Sequence, residues 1–310
     1  MVVRILLAIM AVQIAAALAI WHAAAQYVPP DLALLLALLA VVLVRGAISA
    51  NNFRMARKAG CAVPDEHQLG LAGRLCLFCG EFRASMLASS WTMLRHRPAP
   101  FFAPGARALP VLLVHGYGCN GGFWAALRAL LQRERISHDT VDLEPLTAPL
   151  DDYVAQLDCA VQRLLAATGA PRIVIVAHSM GGLVARAWLR RHGARHVARI
   201  VTVGTPHHGT ALASIGIGAN ARQMRQDSAW LAGLAQDDAA WRPLITSVWS
   251  WHDNIVAPQT SCRLPDARNI AFSGIGHVAL GSDPRVLCCI LDEILAAGPL
   301  TALQSAATIN

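Results

Sequence analysis

Lysine is almost absent from this chain of 310 residues: Lys58 stands alone, and arginine carries most of the positive charge behind a formal balance of +7. Charged residues make up only 15% and aromatic residues 6%, and no dense basic run with interleaved aromatics occurs. Nucleic-acid binding leaves a clustered basic footprint, so no nucleic-acid partner is expected; the charge reads as surface and membrane-flanking. The eight cysteines form no spaced framework. Cys288 and Cys289 are adjacent and the others dispersed, and a chain of this size does not depend on disulfide staples, so buried free thiols are the expectation. Cys76-x-x-Cys79 has no second CxxC, no nearby histidine pair and no thioredoxin-like context, which makes it a weak signal for metal or redox chemistry.

What the chain has in excess is apolar residues, at 55%, and the surplus sits at the front. Residues 5–25 carry no formal charge, and a helix of about 21 residues spans about 31 Å, matching a bilayer core. A turn at 26–30 leads to a second apolar run, 32–44, which reaches spanning length if it continues through 45–50 with Arg45 snorkelling to the interface. Arg4 precedes the first run, Arg45, Arg54, Arg57 and Lys58 follow the second, and the connection holds no Lys or Arg. By the positive-inside rule both ends, and the body of the protein, face the cytoplasm. A cleaved signal peptide competes, because Arg4, the apolar run and Ala23-Ala24-Ala25 imitate its three regions; the second run would then act as a stop-transfer segment. A hairpin buried in a soluble fold is the third reading.

The chain thus divides into a transmembrane helical hairpin (1–50), an amphipathic helix and linker (51–109), a large α/β domain (110–300) and a loose tail (301–310). Leu71, Leu75, Phe78, Phe82 and Met86 recur every three or four residues, which predicts the amphipathic helix. Pro98, Pro100, Pro104 and Gly105 mark the linker.

The most informative stretch is 172–187, RIVIVAHSMGGLVARA. Residues 173–177 read as a strand buried on both faces, and 183–191 have helical spacing. The turn between them, His178-Ser179-Met180-Gly181-Gly182, carries small residues two positions either side of the serine, Ala177 and Gly181. Such a turn lifts a nucleophilic hydroxyl above the sheet, with a helix N-terminus beneath it to favour developing negative charge. Around it, strands are predicted at 111–114, 140–143 and 200–203, and helices at 124–132 and 151–167, the latter capped by Asp151. Strand and helix alternate, which implies a mostly parallel sheet.

The first strand runs into His115-Gly116-Tyr117-Gly118-Cys119-Asn120-Gly121-Gly122. Residues 116–121 fit G-x-G-x-x-G between a strand and a helix, and Asp142 stands where a ribose-binding acid would, so a dinucleotide-binding module is the rival from another class. It leaves the serine turn and the later Asp and His without a task. Read with the serine turn, the same loop brings backbone close to substrate, and the Tyr117 and Met180 N–H groups become the oxyanion donors.

His115-Gly116-Tyr117-Gly118, residues 177–182 and Gly204-Thr205-Pro206-His207-His208-Gly209 together resemble the α/β-hydrolase superfamily, and within it bacterial triacylglycerol lipases and the related lipase/inositol-deacylase-like serine esterases. The resemblance covers about residues 110–297. It implies a mostly parallel sheet flanked by helices and a triad in chain order Ser, acid, His. The strand at 245–250 runs into Trp251-His252-Asp253, so Asp253 is the candidate acid, with Asp266 and Asp283 as substitutes. His277, in the glycine-flanked loop Gly274-Ile275-Gly276-His277, is the only one of twelve histidines past that acid, hence the candidate base. His115 and His178 read as structural neighbours. His207-His208 are consecutive with no carboxylate or cysteine close in sequence, a poor metal pair that suits loop packing better. Residues 211–243, apolar and too long for a simple crossover, suit either a cap over the site or a packed crossover helix.

The expectation is a membrane-anchored lipase or carboxylesterase that cleaves lipid or other apolar carboxylic esters through Ser179, Asp253 and His277 and an acyl-enzyme, with no metal or organic cofactor required. An acyltransferase would use the same residues, with an alcohol in place of water. A domain that has lost catalysis and only binds is disfavoured by the intact Ser, Asp and His.

Overall fold

The structure is a computed structural model that describes residues 1–299. Six parallel strands run in the order β2-β1-β3-β4-β5-β6: β1 (Val111–Val114), β2 (His138–Val141), β3 (Ile173–His178), β4 (Val197–Val203), β5 (Ile245–Ser250) and β6 (Arg268–Phe272). Alternation along the central strands divides the core in two. Ile173 and Ile175 join Leu112 and Val114 on one face; Val174 and Val176 join Val111 and Leu113 on the other. Helices α5 (Asp152–Thr168) and α6 (Met180–His192) cover the first face through Leu157, Val161, Leu183 and Trp188. On the second face, α4 (Ala125–Arg133) contributes Leu127 and Leu131, and α9 (Pro284–Ala296) contributes Val286, Ile290 and Ile294 at four-residue spacing. Helices on both faces explain why β1 and residues 173–177 of β3 are apolar at every position instead of alternating with polar residues.

Strand β2 begins two residues before the predicted 140–143. It is an edge strand, and its polar side chains find local partners: the His138 ring meets the Ile136 carbonyl at 2.9 Å, and Asp139 accepts from Arg163 at 2.9 Å. Asp151 stands before α5, but its carboxylate accepts from Arg190 (2.8 Å) and from the Trp230 indole (2.7 Å) instead of capping the helix.

Ahead of the sheet, α1 (Val2–Ala24) and α2 (Pro30–Ala59) form a hairpin whose turn is closed by the Trp21 indole donating to the Pro30 carbonyl at 3.0 Å. Both are long and apolar enough to cross a membrane, and most of their large side chains, such as Leu7, Val12, Leu35 and Leu43, face outward. Helix α2 continues past residue 50 without a break. The two open ends of the hairpin rest on the α/β domain: Val2 and Leu6 pack with Met93, and Ala56 packs with Leu212 and Ala257. Helix α3 (Leu71–Leu87) packs between α2 and the turn at Ala279–Gly281. Its predicted stripe is rotated: Phe78, Phe82 and Met86 are half-buried, yet Leu71 and Leu75 are exposed, and Leu77 and Glu81 form the buried face. Phe78 lies beside Phe53 of α2, while Glu81 meets the amides of Val278 and Ala279 on the α/β domain. Of the sequence expectations, the tail at 301–310 lies outside the described residues.

Candidate active site

All strands are parallel, so their C-terminal ends share one edge of the sheet, and the loops leaving β1, β3, β5 and β6 meet there. The loop after β3 is a sharp elbow: Ser179 takes φ 52° and ψ −124°, a conformation non-glycine residues avoid and one that costs on the order of 1–3 kcal/mol. Two close approaches make the elbow possible. A Cβ on Gly181 would lie 2.5 Å from the His115 carbonyl oxygen, and one on Gly116 would lie 2.9 Å from the Ser179 Cβ. Neither position tolerates a side chain, and the backbone of 116–117 is thereby laid beside the serine.

The loop after β6 carries His277 to this point. Its Nε2 is 3.0 Å from the Ser179 Oγ, and its Nδ1 is 2.7 Å from the Asp253 Oδ2. The other oxygen of Asp253 accepts from the N–H groups of Ile255 (2.8 Å) and Val256 (2.7 Å), which fixes the carboxylate in the loop after β5. With Nδ1–H committed to Asp253, the neutral imidazole presents the Nε2 lone pair to the hydroxyl. Burial alone would push the His277 pKa down; the adjacent Asp253 carboxylate more than offsets this, and the net shift is upward. Sequence reasoning thus selected three residues that lie far apart in the chain and together in space. Met180 starts α6, directly after Ser179, and Tyr117 follows Gly116 in the loop from β1.

The neighbouring histidines have other partners. The His115 ring meets the Gly116 carbonyl at Nδ1 (2.8 Å) and accepts from the Leu143 N–H at Nε2 (2.9 Å). His178 stacks on Phe123, and its Nε2–H donates to the His277 carbonyl at 3.2 Å, so it supports the loop from below; burial holds it well under the usual histidine pKa. His207 faces Thr202 and Arg186, whereas His208 faces the Arg263 carbonyl.

The glycine-rich loop is filled by the protein itself. The Gly121 N–H donates to Asp142 at 2.7 Å and the Gly122 N–H to Asn120 at 3.0 Å. The space over Gly122 is taken by the Thr92 backbone, 2.5 Å from where a Cβ would stand. A pyrophosphate would need both the amides and that space, so the geometry speaks against dinucleotide binding.

Over Ser179 lies a cavity of about 320 Å³ with a mainly apolar wall that includes Leu212, Ile215, Ile217, Met224 and Val256. The 211–243 insert serves in two parts. Its first half, with the short α7 (Ala219–Gln223), walls the cavity; its second half, α8 (Ala229–Asp237), sends Leu231 and Leu234 into the main core beside α6. Beyond it, the buried Asp238 carboxylate accepts from Arg186 and, at 3.2 Å, from Arg242.

Two residues at the site escape sequence reading. Asn254 accepts the His277 N–H at 2.9 Å, and Asn52, on α2, lines the cavity above Ser179. Asn254 was within reach as the neighbour of a candidate acid. Nothing in the local pattern marks Asn52, which arrives only because α2 packs on the insert.

Residues 111–299 match the Alpha/beta hydrolase family. A stretch of 118 residues is 32% identical to a triacylglycerol lipase of Pseudarthrobacter phenanthrenivorans, covering 35% of this chain and 36% of that protein. A triacylglycerol lipase of Burkholderia plantarii is likewise 32% identical over 118 residues, covering 32% of its length. The match therefore spans about a third of these curated relatives. Among solved structures, a Bacillus licheniformis lipase in its mature form superposes with a TM-score of 0.56 at 17% identity, covering 64% of this chain and 96% of that one. Aspergillus fumigatus lipase B gives 0.57 at 18%, with 66% and 56% covered. At these identities the structural likeness speaks for the fold.

Proposed function

The chain belongs to the α/β hydrolase family, and on that footing we propose that it is a membrane-anchored serine ester hydrolase that cleaves lipid or other apolar carboxylic esters. The observation that carries this reading is the file Ser179 Oγ, His277 Nε2, His277 Nδ1, Asp253 Oδ2, at 3.0 and 2.7 Å.

In the proposed chemistry His277 takes the hydroxyl proton as Ser179 Oγ attacks the ester carbonyl. Asp253 stabilises the imidazolium, and the N–H groups of Tyr117 and Met180 receive the oxyanion. Collapse of the tetrahedral species expels the alcohol, protonated by His277. Water, activated by the same imidazole, then releases the acid from the acyl-enzyme and restores the hydroxyl. The N-terminus of α6 adds a favourable field at the oxyanion.

The preference for lipid rests on two features. The cavity beside Ser179 is mainly apolar, and one of its walls is Asn52, on the helix we read as the second membrane span. Arg54, Arg57 and Lys58 end that helix on the side of the α/β domain, which suits a hairpin with both ends, and the catalytic domain, in the cytoplasm. Held there, the pocket meets bilayer esters at high effective concentration. The test compares vesicles carrying acyl-labelled lipid with a soluble short-chain ester. Turnover of both, with faster use of the vesicles, is expected; turnover of the soluble ester alone contradicts the lipid preference.

A further inference from the structure

Helix α3 precedes the segment matched to the family, yet one of its side chains reaches the loop that carries His277. Glu81 is 2% exposed and lies on an otherwise apolar helix face next to Leu77. Its Oε1 accepts from the Val278 N–H at 3.1 Å and its Oε2 from the Ala279 N–H at 2.9 Å, the two amides that follow His277. On the other side of the histidine, Gly276 packs flat on the same carboxylate: a Cβ there would stand 2.5 Å from Oε2. The loop is thus clamped from both directions, by Glu81 at the amides of 278–279 and by Asn254 at the amide of His277.

Among the described residues no guanidinium or ammonium lies within 4 Å of this carboxylate. Burial pushes its pKa up, and the two amides and the facing His277 only partly pull it back, so the net shift is upward; the ionised form is the one that both amides address, since each oxygen accepts an N–H. A buried carboxyl without a cationic partner is costly for a fold, and a neutral residue could fill the same space. What a carboxylate supplies that a neutral residue cannot is negative charge facing the imidazole, together with two acceptors at a fixed spacing. The charged or titratable groups facing His277 are then Asp253, Glu81 and His178, and His178 is held neutral.

We infer that Glu81 is a positioning residue for His277: it fixes the turn that aims the imidazole at Ser179 and stabilises the imidazolium formed during turnover. The inference rests on the Ser179–His277 reading above. It makes the segment before residue 111 part of the working enzyme and not only its anchor.

The test uses the full chain in detergent with a soluble short-chain ester, wild type against Glu81→Gln and Gly276→Ala, with melting curves for each. For Glu81→Gln we expect a folded protein whose kcat falls about tenfold or more while KM stays within about threefold, because the loss is in transition-state stabilisation. The acid limb of kcat/KM should move to lower pH, since removing a negative charge makes the imidazolium less favoured. Gly276→Ala presses on the same carboxylate without removing its charge, so kcat should fall with the limb unmoved. A folded Glu81→Gln protein with wild-type kcat and an unmoved limb overturns the inference. If Glu81→Gln does not fold, Gly276→Ala decides, and wild-type kcat there overturns it. Failure of the wild type to react with a fluorophosphonate would instead bring down the serine-hydrolase reading itself.

Discussion

Tyr117 and Ile217 hold each other at both backbone groups: the tyrosine hydroxyl donates to the Ile217 carbonyl at 2.8 Å and accepts from its N–H at 3.1 Å. One residue thus joins the loop beside Ser179, through its amide, to the segment that walls the cavity, through its hydroxyl. Tyr117→Phe keeps the amide and removes both bonds, each worth about 0.5–1.5 kcal/mol and here at the low end, because Tyr117 is 37% exposed. The expected outcome is a KM for apolar esters raised several-fold with kcat little changed, measured over a series of acyl chain lengths. An equal fall in kcat and kcat/KM with KM unchanged would place the loss in the transition state and contradict this assignment.

Asp253 sets both the orientation and the basicity of His277. Asn at this position would offer an amide group either to the ring Nδ1–H or to the N–H groups of Ile255 and Val256, and in each case one donor meets another. A kcat loss on the order of 10³–10⁴ is expected, with the protein still folded. The wild-type imidazole titrates above the ordinary 6.5, so kcat/KM should rise with pH through a limb above that value. Without the Asp253 carboxylate the downward pull of burial is opposed only by Glu81, and the limb should move to lower pH. A pH profile of the residual activity measures this directly.

Asn52 offers a way to separate anchoring from pocket shape. Replacing it by Trp fills cavity volume from the α2 side while Ser179, Asp253 and His277 are left unsubstituted. Long-chain esters should lose at least tenfold in kcat/KM while short-chain esters keep wild-type rates, since a steric block removes productive binding of the longer chain only. Equal loss for both would mean that the side chain disturbs the triad.

Arg186 on α6 is 1% exposed and pairs with Asp238, which is fully buried and shared with Arg242. Arg186→Met leaves the carboxylate with one partner at the margin of the core. Breaking a buried pair from one side costs about 3–5 kcal/mol, and the remaining Arg242 bond should hold the loss near the lower figure. Denaturant titration checks this, with a clear fall in midpoint expected; an unchanged midpoint would show that Arg242 alone suffices.

The parts of the fold that local pattern dictates were readable in advance. Continuous apolar runs gave β1 and most of β3, helical spacing at 183–191 gave α6, and the small residues around Ser179 gave the elbow. Chain order then selected Asp253 and His277, because the elbow serine and the family resemblance left one histidine past the acid. Contacts between distant segments were not readable. The buried face of α3 includes Glu81, which meets the amides of Val278 and Ala279, and the extension of α2 brings Asn52 to the cavity; neither leaves a periodic signal. Glu81 is the sharpest case. A single glutamate on an apolar helix reads as a solvated residue until the turn after His277 is found against it, 197 and 198 positions away in the chain.

The most direct measurement is covalent labelling by a fluorophosphonate, followed by peptide mapping, in wild type and in Ser179→Ala and His277→Ala. Modification of Ser179 in the wild type, none in Ser179→Ala, and a rate reduced at least a hundredfold in His277→Ala are predicted, because only a hydroxyl activated by that imidazole reacts. Labelling that persists in Ser179→Ala, or a wild type that does not label, would contradict the assignment of Ser179 as an activated nucleophile.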